Sequence, residues 1–195
     1  MNNTSRRNFI KTSGAIGSFF ILPSGLRAKS PNGKICTAHI GTGGKGRIDT
    51  VYLAKHDNVE VVGLCDVDYS HGKIDTWSKQ FTSATAYQDY REMLAELGDK
   101  IDAVSISTPD HTHYPATMDA MERGKHIYLQ KPLTHKLKEA RQLAEFAKEK
   151  GLTTQMGIQN QSREAYRLAR HYIKKGVIGK VSKVYVWSFK TWGYD

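Results

Sequence analysis

The stretch Ile40-Gly41-Thr42-Gly43-Gly44-Lys45-Gly46 decides how this chain folds. It follows a short apolar run at 34–40 that predicts a strand, and it precedes a segment whose apolar residues have helical spacing. Glycines in the pattern G-x-G-x-x-G at such a junction allow a tight turn, close approach of the backbone to a pyrophosphate, and close packing of helix on strand. Free N–H groups at the helix N-terminus also favour phosphate. The predicted dinucleotide-binding residues are Gly41, Gly43, Gly44, Lys45 and Gly46.

Asp66 supports this interpretation because it ends the second predicted strand, at 59–65, about 20 residues beyond the last glycine of the loop. A carboxylate at this position accepts hydrogen bonds from the hydroxyls of an adenosine ribose. The same carboxylate repels a 2′-phosphate, so Asp66 favours NAD over NADP as the cofactor. In the alternative interpretation, the glycines serve only a tight turn and Asp66 caps the end of a strand.

Short β-rich runs alternate with helical segments along the chain, which predicts an α/β fold with a parallel sheet. The expected strands lie at 34–40, 59–65, 84–87, 102–107, 126–129 and 153–156. Asp89 and Glu92 form a capping-box pattern at the start of one helix. Cys36 and Cys65 fall within apolar, strand-like runs, which favours buried free thiols, and a disulfide between them is the alternative.

The composition limits the classes of protein to which the chain can belong. Its 195 residues are 39% hydrophobic and 25% charged and include two cysteines, which excludes wholesale disorder and a disulfide-stabilised scaffold. The longest nearly uncharged stretch, 12–26, contains glycine, serine and proline, and it is shorter than the roughly 20 apolar residues of a membrane span. We therefore expect no stable membrane span.

The formal net charge of +10 is unevenly distributed. Half of it lies in residues 1–30, which contain no acidic residue, so we expect no nucleic-acid partner. Within this segment, Ser5-Arg6-Arg7-Asn8-Phe9-Ile10-Lys11 precedes a short apolar stretch and resembles a twin-arginine signal. It predicts a leader recognised by the twin-arginine (Tat) export machinery and a periplasmic or otherwise exported protein. A disordered basic N-terminus is the alternative.

Two further motifs follow predicted strands. Thr108-Pro109-Asp110-His111-Thr112-His113 follows the fourth strand, and Gln130-Lys131-Pro132 follows the fifth. Together with the glycine loop and Asp66, this ordered set resembles the Gfo/Idh/MocA family of NAD(P)-dependent oxidoreductases. The resemblance implies a Rossmann domain with a doubly wound parallel sheet at 31–157, after the leader. It also implies that 158–195 begin an α+β open-sheet C-terminal domain, truncated here, which carries the substrate and forms a homo-oligomer.

The resemblance also assigns roles to individual residues. It implies that Lys131 is the catalytic lysine and that the Lys131-Pro132 bond is cis. The residues that it places against the cofactor are Thr108, Pro109, His111, His113, Gln130, Lys131 and Gln159. Two positions depart from the family pattern, because Asp110 replaces the usual Asn and Gln130 replaces the usual Glu. Gln130 can still hydrogen-bond a ribose hydroxyl, but it removes a negative charge beside Lys131.

The chemistry of alcohol oxidation also favours a functional lysine at the end of the fifth strand. Oxidation of a sugar alcohol sends a hydride to the nicotinamide and requires a base for the hydroxyl proton. The sequence thus predicts an NAD(P)-dependent oxidoreductase acting on the CH–OH group of a carbohydrate-like small molecule, such as a sugar, polyol or glycoside. The alternatives are an NAD-dependent glycosidase that uses transient oxidation and elimination, and a non-catalytic NAD-binding relative.

The histidines suggest one further kind of site. Asp110, His111 and His113 have the spacing of metal ligands, but no other ligand cluster completes such a site and it would leave the glycine loop unexplained. We therefore predict no metal. The remaining histidines are interpreted as structural or surface residues, and they are His39, His56, His71, His126, His135 and His171.

The end of the chain predicts a strand at 181–190, with Tyr185, Trp187 and Phe189 on one face. An exposed aromatic face on a strand requires a cover. We therefore expect the sequence to be a fragment that stops just inside its second domain.

Overall fold

The computed structural model describes residues 33–187 of the chain. The predicted leader at 1–30 and the end of the last predicted strand, 188–190, lie outside the described residues. The chain divides into two compact units, Met1–Met156 and Gly157–Asp195, and each is described by itself.

A parallel sheet is the framework of the first unit. Its strands are β1 (Ile35–Ile40), β2 (Val59–Cys65), β3 (Thr85–Tyr87), β4 (Ala103–Ile106), β5 (His126–Gln130) and β6 (Thr154–Gly157). Their order across the sheet is β3-β2-β1-β4-β5-β6, and the paired strands run parallel. The order reverses between β1 and β4, which creates a crevice at the carboxyl ends of these strands. This topology confirms the predicted doubly wound, Rossmann-type α/β fold.

Helices alternate with the strands along the described chain. They are α1 (Gly44–Ala54), α2 (Tyr69–Gly72), α3 (Ile74–Gln80), α4 (Tyr90–Leu97), α5 (His113–Glu122), α6 (Leu137–Lys150), α7 (Gln159–Ser162) and α8 (Glu164–Lys174). At the start of α4, the Asp89 carboxylate accepts a hydrogen bond from the Arg91 N–H at 2.9 Å, which confirms the predicted N-cap. A cap of this type stabilises a helix by about 1 kcal/mol.

Two clusters of buried side chains form the core. The larger includes Leu94 of α4, Ile106 of β4 and Met121 of α5. The smaller includes Leu64 of β2 and Trp77 of α3. Burial of each large apolar side chain contributes roughly 1.5–3 kcal/mol. Because these clusters hold the helices against the sheet, they also fix the strand ends that carry the sequence motifs.

The second unit contains α7 and α8, and the apolar side chains of α8 are about half exposed. The predicted strand at 181–190 is wrong for its described part, because residues 181–187 form no strand and Tyr185 and Trp187 are exposed. A strand requires hydrogen bonds to a neighbouring strand, and the described residues provide none for this segment. Within residues 33–187, no helix is long and apolar enough to cross a membrane.

Candidate cofactor-binding and catalytic site

The glycine loop, residues 41–46, is shaped by contacts that leave no room for a side chain at Gly41, Gly43 and Gly46. Gly41 has a φ of +79°, and a Cβ there would lie 2.8 Å from the carbonyl carbon of Ser107. A Cβ on Gly46 would lie 1.8 Å from the carbonyl oxygen of Gly41, which is far too close. Helix α1 therefore packs directly on the loop, as expected for the third glycine of the pattern.

The carboxylate of Asp66 fastens the glycine loop. Its Oδ2 accepts hydrogen bonds from the N–H groups of Thr42 at 2.9 Å and Gly43 at 3.2 Å. Its Oδ1 accepts a third from the Asp68 N–H at 3.1 Å. Hydrogen bonds to an ionised acceptor are stronger than neutral ones. These contacts were not foreseen from the sequence, and the predicted contact of Asp66 with a ribose stays a prediction.

Helix α2 packs against the glycine loop through His71 and Gly72, two residues that sequence reasoning missed. Thr42 Oγ1 donates to the Gly72 carbonyl at 2.7 Å, and a Cβ on Gly72 would lie 2.5 Å from the Cβ of Asp66. A Cβ on Gly43 would lie 2.4 Å from the ring of His71, which also lines the cavity described next. The interpretation of His71 as a structural or surface residue is therefore incomplete. Its position just after the end of β2 was the available signal.

A cavity of about 450 Å³ opens at the carboxyl ends of β1, β2 and β4. The predicted residues that line it are Gly41, Gly43, Asp66, Thr108, Pro109 and His111. Lining residues that were not singled out from the sequence include Val67, His71, Gln88, Tyr90 and Ser107. Binding sites for small molecules commonly have volumes of about 300–1,000 Å³. The cavity is therefore large enough to hold part of a dinucleotide.

The residues around this cavity fit NAD. Helix α1 has Gly43 at its N-cap position and no side-chain cap, so the N–H groups of its first turn are available to a phosphate. Asp66 supplies a carboxylate on the cavity wall, where a ribose requires an acceptor. Ile40 and Ala116 contribute apolar surface suited to a base. The loop, the carboxylate and the apolar wall together match the three parts of an adenosine diphosphate.

His113 joins two motifs and is not among the residues that line the cavity, and its predicted contact with the cofactor stays a prediction. Its buried ring places Nδ1 2.7 Å from the carbonyl oxygen of Pro132 and Nε2 2.9 Å from that of Thr108. Carbonyl oxygens only accept, so a neutral ring donates to one of them and a protonated ring to both. These contacts occupy the nitrogens that a metal shared with His111 would need. Among residues 33–187, no three side chains of ligating type form a metal-binding group.

The lysine turn, Gln130-Lys131-Pro132, ends β5. The Lys131-Pro132 bond is cis, as predicted, and Lys131 is exposed. The Lys131 N–H donates to Oε1 of Gln130 at 3.3 Å. Gln130 is buried, and its Nε2 donates to Oδ2 of Asp49 at 2.7 Å. Both ends of the Gln130 amide thus bond to the protein, and its predicted contact with a ribose hydroxyl stays a prediction.

Asp49 of α1 is a further residue that sequence reasoning missed. It is only 4% exposed, and it also accepts hydrogen bonds from Nζ of Lys45 at 2.8 Å and from Oγ of Ser107 at 3.0 Å. The amine of Lys45, which was predicted to contact the cofactor, is therefore directed at Asp49. The spacing of Lys45 and Asp49, four residues apart on a helix, was the available signal. Gln130 lies 81 residues away from Asp49, beyond any local pattern.

The remaining predicted site residues lie in the glycine loop, the lysine turn and the second unit. Gly44 and Gly46 belong to the loop and the start of α1. The contact of Lys131 with a substrate stays a prediction. Gln159 begins α7 in the second unit, and its contact with the cofactor also stays a prediction.

Cys36 and Cys65 are buried and form no disulfide with each other, as predicted. Burial raises the pKa of the Cys65 thiol to about 12, and nearby carboxylates, foremost that of Asp66, add to the rise. The thiolate is the reactive form of cysteine, so Cys65 is an unreactive wall residue of the cavity.

His39 on β1 is a buried histidine in the layer between the sheet and α1. Its ring nitrogens lie 3.2 Å from Oγ1 of Thr50 and 3.1 Å from Oγ1 of Thr37. Burial lowers its pKa to about 4. Hydroxyl groups both donate and accept, so they satisfy a neutral ring on both nitrogens. The structural role predicted for His39 agrees with this position.

Comparisons with known proteins place the chain in a family. Residues 35–158 match the family model GFO_IDH_MocA, an oxidoreductase family with an NAD-binding Rossmann fold. Scyllo-inositol 2-dehydrogenase (NAD(+)) of Bacillus subtilis (strain 168) is 35% identical over 140 residues, which cover 70% of this chain and 40% of that protein. Glycosyl hydrolase family 109 protein 2 of Akkermansia muciniphila is 35% identical over 119 residues, which cover 57% of this chain and 25% of that protein.

A solved structure shows the same fold. Scyllo-inositol dehydrogenase from Lactobacillus casei, crystallised with NAD(H) and scyllo-inositol, matches with a TM-score of 0.67 at 23% identity, over 75% of this chain and 42% of that one. The chain thus spans about two fifths of the length of these two dehydrogenases. The family model confirms NAD as the cofactor of this fold. Because that model matches well over half of the sequence and the fold agrees with it, the chain belongs to the Gfo/Idh/MocA oxidoreductase family.

Proposed function

We propose that the full protein is an NAD-dependent oxidoreductase that transfers a hydride between a CH–OH carbon of a sugar, polyol or glycoside and the nicotinamide. The two scyllo-inositol dehydrogenases among its relatives support a carbohydrate-like substrate. The observation that carries the proposal is the position of the lysine turn. It ends β5, and His113 ties it to the cavity-lining Thr108. Ligands of open α/β sheets bind at this edge of the sheet.

In this proposal, Lys131 moves the proton of the reaction. Oxidation of an alcohol releases a hydride from carbon and a proton from oxygen, and bound NAD supplies the hydride acceptor. The amine of Lys131 is the group that takes the hydroxyl proton and returns it when the carbonyl is reduced. Gln130 bonds the backbone N–H of Lys131 and His113 contacts the carbonyl of Pro132, so the two residues hold the backbone from which the lysine side chain extends.

A second candidate is a glycosidase that uses NAD transiently. The relative named as a glycosyl hydrolase of family 109 favours it. In such a cycle a sugar carbon is oxidised, elimination expels the leaving alcohol and forms a double bond, water adds to that double bond, and the carbon is reduced again, so no net NADH forms. Incubation with glycosides separates the two candidates, because the dehydrogenase accumulates NADH and the glycosidase releases free sugar without it.

We also propose that the second unit begins a domain that binds the substrate and forms a homo-oligomer. The matched dehydrogenases support this, because they extend well beyond the region that this chain covers. Light scattering on the full-length protein checks the assembly, and a monomeric mass would contradict it.

Export through the twin-arginine machinery is a separate proposal, which rests on Arg6-Arg7 and the apolar stretch that follows. Residues 1–32 fused to a reporter protein should direct it to the periplasm of a bacterial host. Replacement of Arg6 and Arg7 by lysine should abolish this export while leaving synthesis of the reporter unchanged. Export of the lysine variant at the original level would contradict the proposal.

Identification of the bound nucleotide tests the cofactor part of the proposal. The full-length protein, purified and then denatured, should release NAD(H), identified by mass spectrometry, or should bind added NADH in a fluorescence titration. Preference for NADPH would contradict the expectation drawn from Asp66.

The role of Lys131 is tested by Lys131→Ala in the full-length protein. Because a positioned proton-transfer group contributes about 10²–10⁴-fold to a rate, kcat with an accepted sugar should fall by at least about 100-fold while NADH affinity changes little. Lys138→Ala, at an exposed lysine of α6, is the matched control and should keep the parent rate. A Lys131→Ala variant with the parent kcat would overturn the assignment.

A further inference from the structure

The carboxylate of Asp49 lies where three parts of the fold meet. Asp49 belongs to α1, Ser107 follows β4 and Gln130 ends β5. Oδ1 of Asp49 accepts from Nζ of Lys45 at 2.8 Å, and Oδ2 accepts from Oγ of Ser107 at 3.0 Å and from Nε2 of Gln130 at 2.7 Å. A buried charge is tolerated when it is paired and hydrogen-bonded in this way. Asp49 is therefore a fixed negative charge beside the lysine turn.

This charge determines which way the amide of Gln130 points. A carboxylate only accepts hydrogen bonds, so it selects the NH₂ group of Gln130 as its partner. Oε1 of Gln130 then faces the other way and accepts the N–H of Lys131 at 3.3 Å. The chain of contacts runs from Asp49 through Gln130 to the backbone of Lys131, and none of these three residues lines the cavity.

We propose that Asp49 is a positioning residue for Lys131 and that it acts through Gln130. The Asp49–Gln130 pair works because one partner is a carboxylate and the other is an amide. This inference rests on the proposed function, in which Lys131 is the proton-transfer group. It predicts that the carboxylate and the amide can exchange places. A carboxylate at 130 would still accept the Lys131 N–H, and an amide at 49 would donate to it.

The test is a charge-exchange cycle in the full-length protein, with Asp49→Asn, Gln130→Glu and the double variant. Asp49→Asn removes the charge that orients Gln130, and Gln130→Glu places two carboxylates where the partners are now 2.7 Å apart. Each single variant should lower kcat by about tenfold with less than a threefold change in the KM for the sugar. The double variant should recover to within about threefold of the parent kcat.

A second readout requires no substrate, so it separates this inference from the proposed function. Hydrogen exchange at the Lys131 amide, followed by mass spectrometry, should accelerate about tenfold in Asp49→Asn and return to the parent rate in the double variant. Asp75→Asn, at an exposed carboxylate of α3, controls for loss of charge and should leave both readouts unchanged.

The outcomes distinguish the two proposals. If the parent protein oxidises no sugar but the exchange of Lys131 shows loss and recovery, the proposed function fails and the positioning role stands. If the double variant shows the combined losses of the two single variants, or if Asp49→Asn behaves as the parent in both readouts, the positioning role is wrong.

Discussion

The glycine loop and the lysine turn hold their functional groups by different physical means. In the loop, backbone atoms approach so closely that a Cβ on Gly46 would lie 1.8 Å from a carbonyl oxygen. In the turn, side chains carry the contacts, and the central one joins Gln130 to the buried carboxylate of Asp49 at 2.7 Å. Both regions use one buried aspartate, but Asp66 accepts from backbone N–H groups whereas Asp49 accepts from side chains alone.

This difference predicts two kinds of response to substitution. Steric contacts between backbone atoms cannot relax without displacing a helix, so a single substitution in the loop should cause a large loss of cofactor affinity. Hydrogen bonds between side chains can be exchanged for others. Single substitutions in the turn should therefore cause smaller losses, and a second substitution should be able to compensate for the first. The predictions that follow test this contrast, from the largest expected effect to the smallest.

The largest loss of cofactor affinity is expected for Gly46→Ala. The added methyl group forces α1 away from the loop, and with it the N–H groups of the first helical turn. We expect NADH affinity to fall by about 100-fold or more, equivalent to about 2.7 kcal/mol, in a fluorescence titration. Gly98→Ala is the matched control, because a Cβ there meets no atom within 4 Å and φ is −47°. Unchanged binding by Gly46→Ala would contradict the steric account.

Acid should weaken the β1–α1 layer through His39. Its pKa is about 4 in the folded protein, against about 6.5 when unfolded, so the unfolded chain binds the extra proton between these values. The full contribution of the neutral ring to stability is therefore present above pH 6.5. It is lost as the pH falls towards 4, where the loss reaches about 3 kcal/mol.

Urea denaturation at a series of pH values checks this prediction. His39→Gln cannot titrate, so the free energy of unfolding of this variant should depend less steeply on pH between 6.5 and 4 than that of the parent. Equal slopes for the two proteins would show that His39 does not cause the acid sensitivity.

A smaller loss of cofactor affinity is expected for Asp66→Asn. The amide keeps one acceptor oxygen but loses the charge that binds the N–H groups of Thr42 and Gly43. Loss of one charge-assisted hydrogen bond costs about 1.5–3 kcal/mol, so NADH affinity should fall by at least about tenfold. The preference for NADH over NADPH should also narrow, because the carboxylate no longer repels a 2′-phosphate. An unchanged ratio of the two affinities would argue against a ribose contact.

The smallest effect is expected for Lys45→Gln. Lys45 pairs with Asp49 four residues along α1, but its side chain is 38% exposed and solvent screens the pair. We expect a loss of at most about 1 kcal/mol in the free energy of unfolding, declining further at high salt. A loss as large as that of Asp49→Asn would mean that Lys45, and not Gln130, is the essential partner of Asp49.

Local sequence patterns predicted the parts of the fold that depend on near neighbours. The glycine spacing, the strand at 59–65 and the Asp89 cap are each set by a few consecutive residues, and the structure has them where they were expected. The strand expected at 181–190 failed in its described part because a strand depends on a neighbour that its own residues do not specify. The resemblance to the family supplied the cis bond before Pro132, whereas the glycine loop and Asp66 supplied NAD as the cofactor.

The sequence predicted only part of the candidate site, because some of its features depend on near neighbours and others on segments that are distant along the chain. Thr108, Pro109 and His111 line the cavity as expected, because the carboxyl ends of parallel strands share one edge of the sheet. The contacts of His113 with the carbonyls of Pro132 and Thr108 were not predicted, and neither were those of His71 with the loop. Each depends on a segment that is brought close only by folding.

By itself, the sequence determined the order of strands and helices, the glycine loop and the family. The elements and the glycine loop follow from the spacing of apolar residues and glycines, which acts over a few residues, and the family follows from the resemblance of four ordered motifs. Only the tertiary structure decided how the charges are partnered. The sequence showed that Gln130 lacks a negative charge beside Lys131, whereas the fold brings Asp49 to Gln130 from 81 residues away. A buried carboxylate takes whichever donors the packed helices and strands bring within 3 Å, and no spacing along the chain encodes that distance.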